Sequence, residues 1–367
     1  MLINILFLKL KIEGRVSMEA EYYVGSRQSL KKILNELKSR GLKVLGPKKS
    51  SGSIVYGEIS DIEEMPLGIG GLSSITHHSI KEILHPSNQR FLYTDSNYTS
   101  HIPENGTESF ALFGIRPCDL SSLQITDLLL SEDPFYNNRR SKLTWAIVEE
   151  CQEPGIFCFC SLIGTGPTAK ADFDISYALI GRDCVVFRKG TEKGEKMLKI
   201  LQLKEVDENS KEVLLYKQRA EAAAVSMKKR FREGLSGLPE ALDASLGDVS
   251  FWKKISDRCI GCSNCNMVCP TCTCSEFLDE AMMDGSAERQ RFWVGCLSPV
   301  YGEVAGTHFR KEQYMRYRHF VLHKFLFPFI KQVPSGCVGC GRCIAFCPMG
   351  LDLRNTLQEV LIKYAKK

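Results

Sequence analysis

Residues 28–40, QSLKKILNELKSR, place Leu30, Ile33, Leu34 and Leu37 three and four apart, on one helical face. Gly41 ends this predicted helix. LKVLGP and GSIVYGEI follow and read as strands. SFALFGI at 109–115 is a continuous apolar run, DLSSLQITDLLL after it is helical, and LTWAIVEE at 143–150 is a second apolar strand. Strand, helix and strand over this length make a βαβ unit, which implies parallel neighbouring strands. An α/β N-terminal domain with a parallel-containing sheet is therefore expected over 1–190.

The pattern changes after residue 190. EKGEKMLKILQL and SKEVLLYKQRAEAAAVSMKKRFREG are charged and amphipathic, and predict a helical connector over 191–245. GLSGLPEALD marks its end. The remainder, 246–367, is cysteine-rich and closes on a helix at LRNTLQEVLIKYAKK. The N-terminal MLINILFLKLKIEG is interrupted by Lys9 and Lys11 and lacks a small-residue cleavage site. It reads as a mild strand, or as the lead-in to an alternative start at Met18. No other segment approaches the roughly eighteen apolar residues of a membrane span, so a soluble, cytoplasmic protein is expected. PLGIGGLSS lacks the full dinucleotide fingerprint and reads as a plain loop.

Composition narrows the function classes. With 44% hydrophobic and 25% charged residues, the 367-residue chain can build two or three cored domains. The net charge of +5 is mild and the basic residues are scattered, without the interleaved aromatics of a nucleic-acid platform. Cysteine is the exception. Sixteen are present, and they are grouped. Grouping in a long chain favours metal over a disulfide scaffold, and a reducing setting.

CIGCSNCNMVCPTCTC runs from Cys259 to Cys274, and CVGCGRCIAFCP begins at Cys337. Each contains C-x₂-C-x₂-C-x₃-C-P, the pattern of bacterial-type ferredoxins with two 4Fe–4S clusters, in which the fourth cysteine of each run serves the other cluster. Cys259, Cys262 and Cys265 are thus paired with Cys347, and Cys337, Cys340 and Cys343 with Cys269. Pro270 and Pro348 suit a first helical turn. Gly261, Gly339 and Gly341 allow close backbone approach. Zinc sites use two C-x₂-C pairs instead of triple runs. A helical, ferredoxin-like dicluster domain is expected over 246–367.

Other residues in this region leave choices open. Cys272, Cys274 and Cys296 read as small buried residues, spare ligands or a regulatory thiol pair. Arg310, Lys311, Arg316, Arg318 and Lys324 crowd a predicted helix, either tuning anionic clusters or forming a solvated face. His308, His319 and His323 read as packing or surface residues.

A third group lies upstream. Cys118 follows the strand SFALFGI and Cys151 follows LTWAIVEE. In a βαβ unit both fall at one sheet edge, where ligands bind in open α/β sheets. The turn QEPGIF brings back Cys158 and Cys160. Four thiols suffice for a third 4Fe–4S cluster. The alternatives are structural thiols, a redox pair in CFC, or a loop of Arg116, Pro117 and Asp119 for a partner or flavin. Cys184, alternating with apolar residues in RDCVVF, is expected in the core.

Taken in order, RPCDL, CQEPGIFCFCSLIGTGP, CIGCSNCNMVCPTCTC, the FW-GC element, HFRKEQYMRYRHFVLHKF and CVGCGRCIAFCPMGLDL resemble the beta subunit of cytoplasmic sulfhydrogenases. These are nickel–iron hydrogenases that also reduce sulfur, and the A subunit of anaerobic sulfite reductase belongs to the same group. The resemblance begins near residue 108. It implies an electron-transfer subunit with no catalytic residues of its own. Its partners would be a flavin- and NAD(P)H-binding subunit on one side. On the other would stand nickel–iron small and large subunits, or a siroheme subunit. Thr273 and Cys274 stand where the family suggests an aromatic residue, and Glu150 where it suggests a shorter one, so the catalytic partner stays open. Two further readings are an independent flavin-dependent reductase and a zinc-stabilised interaction module.

Overall fold

The computed structural model describes residues 21–68, 76, 79–103, 108–231 and 234–365. The N-terminal stretch with Met18, and most of PLGIGGLSS, lie outside these residues. The larger sheet has eight strands: β1 (Tyr22–Gly25), β2 (Lys43–Ser50), β3 (Ser53–Glu58), β6 (Phe110–Ile115), β7 (Leu143–Glu149), β8 (Ile175–Leu179), β9 (Val185–Lys189) and β10 (Lys204–Val206). Their order is β10-β1-β9-β8-β7-β6-β2-β3. The pairs β2–β6, β6–β7 and β7–β8 are parallel, and the flanking pairs are antiparallel. The expected βαβ unit is present, with β6 and β7 as direct neighbours.

Every residue of β6 is buried, as in a strand covered on both faces. Ala111 and Phe113 join Leu30, Ile33, Leu34 and Leu37 of helix Arg27–Ser39 on one face. Phe110 and Leu112 join Leu120 and Leu123 of helix Pro117–Leu129 on the other. The β6–β7 register slips between Phe113 and Ile115. Gly114 sits there at φ +73°, where an added Cβ would stand 2.3 Å from Met65 Cε. The slip re-aims the chain immediately before Arg116 and Cys118.

Residues 191–245 contribute more than helices. Strand β10 extends the sheet beside β1, and helix Lys211–Lys229 packs on β9 and on the short helix Cys160–Ile163. Cys184 lies one residue before β9 and is half-buried at the edge of a small cluster, not in the core. The strand starts later than the alternation suggested.

Against the helical expectation, the C-terminal region also holds strands: a small pair, Glu303–Val304 with Thr307–His308, and a longer hairpin. Strands β11 (Ser275–Ala281) and β12 (Ala287–Trp293) form a hairpin that turns at Asp284–Gly285, where Gly285 takes φ +84°. β12 then pairs with β4 (Asn88–Thr94), which pairs with β5 (Ser100–His101). Helices Leu238–Ala244, Val249–Ile255, Gln313–Phe325 and Leu353–Tyr364 close around Trp252, Val321, Leu357 and Val360. Phe159, from the N-terminal half, is buried in the same core. Among the described residues no helix is long and apolar enough to cross a membrane.

Candidate metal centres

The two C-terminal cysteine runs fold alike. Gly261 and Gly339 occupy matching positions at φ +70° and +63°. Ser263 and Gly341 then take left-handed conformations and cap the short helices Asn264–Met267 and Arg342–Ala345. Each helix carries the third cysteine of its run, and the fourth follows it.

Cys259, Cys262 and Cys265 line one cavity together with Cys347, and Cys343 reaches its wall. The other walls are apolar and include Leu297, Tyr317, Phe320 and Leu351. The Leu351 amide donates to Cys347 Sγ at 3.3 Å, and the Gly339 amide donates to Cys337 Sγ at 3.3 Å. A backbone N–H aimed at a sulfur favours its charged form over its neutral one. Burial pushes the Cys337 thiol up to about 12; the Gly339 amide opposes this, and the neighbouring Cys269 and Cys340 add to it. Cys343 is raised by burial and then by Cys337, Cys340 and Cys269. Cys269 neighbours Cys337 and Cys343 of the second run and also Cys265 of its own. Buried thiols that cannot ionise alone, with amides aimed at sulfur, fit a group that binds thiolates and disperses their charge.

The upstream cysteines also converge. Cys118, Cys151, Cys158 and Cys160 line one cavity with Arg116, Arg342, Met227 and Cys340. Cys118 enters from the first turn of helix Pro117–Leu129, which Pro117 starts. Cys151 follows β7, and its amide donates to Pro167 O at 3.1 Å. Burial raises all four thiols, Cys158 to about 12. Cys340 was expected only in the downstream set, yet its carbonyl is 3.6 Å from Cys158 Sγ.

The downstream run forms the lid of this cavity. The Phe159 amide donates to Gly339 O at 2.8 Å, and Thr165 Oγ1 donates to Val338 O at 2.7 Å. A Cβ on Gly339 would meet the Cys160 backbone at 2.7 Å. Two arginines face the cavity. Arg116 Nη1 is 3.1 Å from Glu149 Oε1, while its buried Nη2 has no described partner. Arg342 is anchored on Asp119.

The predicted cationic helix divides by environment. Lys324 is buried, donates to Thr271 Oγ1 at 2.9 Å and is held cationic by Cys269, Cys272 and Cys337 despite its burial. Arg316 is spent on the carbonyls of Leu297, Arg310 and Lys311, and Arg318 on that of Leu246. His319 and His323 stack on each other at 5.7 Å, and burial holds both near 4, neutral at ordinary pH. Sequence reasoning missed Arg342, Lys81 and Asn266. The signal for Arg342 was a charged residue inside a ligand run. Among the described residues no three or more His, Cys, Asp or Glu close tightly enough for a single metal ion.

Residues 258–351, the stretch holding both runs, match the 4Fe-4S dicluster domain family. The chain matches the beta subunit of sulfhydrogenase 2 from Pyrococcus furiosus, at 31% identity over 349 residues. The match covers 94% of this chain and 98% of that protein. The chain belongs to the sulfhydrogenase beta-subunit family. As a family member with a dicluster domain it is an iron–sulfur electron-transfer subunit, and the resemblance seen in its motifs is borne out.

Proposed function

We propose that the chain is a three-cluster wire between a flavin- and NAD(P)H-binding subunit and the catalytic subunits of a cytoplasmic hydrogenase and sulfur reductase. Cys118, Cys151, Cys158 and Cys160 would hold the first 4Fe–4S cluster. Cys337, Cys340, Cys343 and Cys269 would hold the second, and Cys259, Cys262, Cys265 and Cys347 the third. A bound 4Fe–4S cluster takes up and releases single electrons. The matching left-handed caps and short helices support a ferredoxin-like arrangement of 246–367.

The carrying observation is Cys340. It belongs to the middle set and also lines the upstream cavity, so these two sets share a wall. Cys343 does the same between the middle set and the cavity of Cys347. The three sets therefore form a line. Cys262 at one end is exposed, a natural docking end for a partner. Arg116, Arg342 and Lys324 are fixed cations along the line and favour the reduced, more negative state of neighbouring groups.

Anaerobic purification of the native complex tests this reading. Flavin-bearing and nickel–iron subunits should co-purify, and the isolated reconstituted chain should not turn over NAD(P)H. A siroheme partner would assign the chain to the sulfite-reductase branch instead. Robust turnover by the isolated chain would overturn the relay.

A further inference from the structure

A second cavity shares Arg116 and Cys151 with the upstream one and extends along the sheet edge away from the other three thiols. It measures about 190 Å³, room for roughly six waters. β7 ends on its wall at Glu149, with Glu150 and Gln152 following, and β8 ends there at Leu179. Arg27, the first residue of helix Arg27–Ser39, and Arg219, from helix Lys211–Lys229, add two guanidinium groups. The C-terminal edge of parallel strands is where open α/β sheets receive ligands.

The buried carboxylates in the lining are already answered. Glu149 pairs with Arg116 and accepts from the Gly68 amide at 2.9 Å and the Tyr177 hydroxyl at 3.4 Å. Glu150 pairs with Arg188 and accepts from the Tyr216 hydroxyl and from the Ala169 amide at 3.2 Å. Each thus has its own guanidinium, and Glu153 is exposed. Arg27 and Arg219 are not matched in this way. Neither pairs with a carboxylate among the described residues. Arg27 Nε is buried without an acceptor, and the Gln152 amide is buried with neither its oxygen nor its nitrogen partnered. Such groups are costly to leave unmatched. Arg27 also stands at the positive end of a 13-residue helix whose first turn carries no acidic residue, an unfavourable place for a cation. Asp183 takes the Arg27 amide at 2.9 Å and makes no pair with the side chain. Water would serve the Gln152 amide but leave two guanidinium charges unanswered. A small anion answers both.

We propose that this cavity is a binding site for a small oxyanion, held by Arg27 and Arg219 and oriented by the Gln152 amide. Guanidinium N–H groups match pairs of oxygens on a carboxylate, phosphate or sulfate, and their charge is fixed. The Gln152 nitrogen donates to the same anion, and its oxygen accepts from a hydroxyl or ammonium on the ligand. Cys151 is a shared wall, so the ligand lies one residue away from the upstream thiols. The site stands whether or not those thiols hold a cluster.

The test is calorimetric titration of the full chain, at constant ionic strength in chloride, with inorganic phosphate, sulfate and malonate in turn. At least one should bind saturably, and the tightest of the three tells a carboxylate ligand from a tetrahedral oxyanion. Arg27→Gln and Arg219→Gln should each weaken that binding about tenfold or more, the loss of a charge-assisted hydrogen bond. Lys49→Gln, which removes an exposed charge on β2 outside the lining, should leave it unchanged. Arg219 is exposed, so its replacement tests the site even where Arg27→Gln disturbs the helix. The proposal is overturned by the absence of saturable binding of all three anions through the millimolar range, or by binding that either folded arginine variant leaves intact. Equal weakening in Lys49→Gln would overturn it too, because it would mark diffuse attraction to a chain of net charge +5.

Discussion

Arg342 and Asp119 join the two halves of the molecule through a buried ion pair across 223 residues of sequence. Arg342 Nη2 donates to Asp119 Oδ2 at 2.9 Å, and Nη1 stands 2.8 Å from Oδ1. The side chains are 3% and 0% exposed, so the charges depend on each other and on few neighbours. Tyr56 donates to the same carboxylate at 2.8 Å, and Arg342 Nη2 also reaches Thr76 Oγ1 at 2.8 Å. Asp119→Ala would leave a guanidinium buried without its counter-charge. The expected loss is about 3–5 kcal/mol of stability in anaerobic chemical denaturation, with much of it recovered in Asp119→Leu/Arg342→Met. Equal stability of Asp119→Ala and wild type would show that the pair does not hold the halves together.

Crossed ligation is tested at Cys347. Cys347 lines the cavity of Cys259, Cys262 and Cys265, while Cys337 and Cys340 of its own run do not. Cys347→Ala should therefore damage the cluster assigned to the 259–265 run. Cluster-resolved EPR that instead finds the loss in the cluster of Cys337 would refute the assignment.

The upstream cluster should be lost in Cys118→Ser or Cys151→Ser. The full chain is the right material, because Val338 and Gly339 close that cavity from the other end of the sequence. Each variant should lack about four irons relative to wild type and keep the remaining clusters. Iron content equal to wild type in both variants would leave these cysteines as packing residues.

Protonation gives a fourth expectation, for the iron-free chain. Cys158 and Cys337 are raised from an ordinary value of 9.0 to about 12, chiefly by burial. An acid whose folded value is raised supports folding fully below its unfolded value and loses that support as pH climbs through the folded one. Apo stability should thus fall between about pH 9 and about 12, while thiolate binding of iron should tighten as pH rises. A denaturation midpoint that is flat across this window would count against buried, protonated thiols.

The sequence made local chemistry easy to read. The β6–helix–β7 unit, the doubled cysteine runs and the shared edge of Cys118 and Cys151 depend on periodicity and spacing within a few tens of residues. The β4–β12 pairing was not readable, because each strand alone is a short polar alternation with no mark of its partner. Cys340 at the upstream cavity was hidden for a similar reason. Its place in the run accounts for it fully, and only the close approach of Gly339 to Cys160 brings it to a second site. Cys272, Cys274 and Cys296 were visible as a surplus, but the amide that bridges Cys272 and Cys296 comes from Asn266, which carries no motif signal.

The pairing of β4 with β12 also fixes an order of events during synthesis. Strand β4 leaves the ribosome about 200 residues ahead of its partner, a wait of roughly 10–40 s at ordinary translation rates. Throughout that interval the edge of β4 is uncovered, and the thiols at Cys118, Cys151, Cys158 and Cys160 lack the lid supplied by Val338 and Gly339. The nascent chain is then most open to misplaced iron, stray oxidation and edge-to-edge association. Secure loading of the upstream site has to wait until Val338 and Gly339 have left the ribosome, so the first thiols made wait longest for their seal.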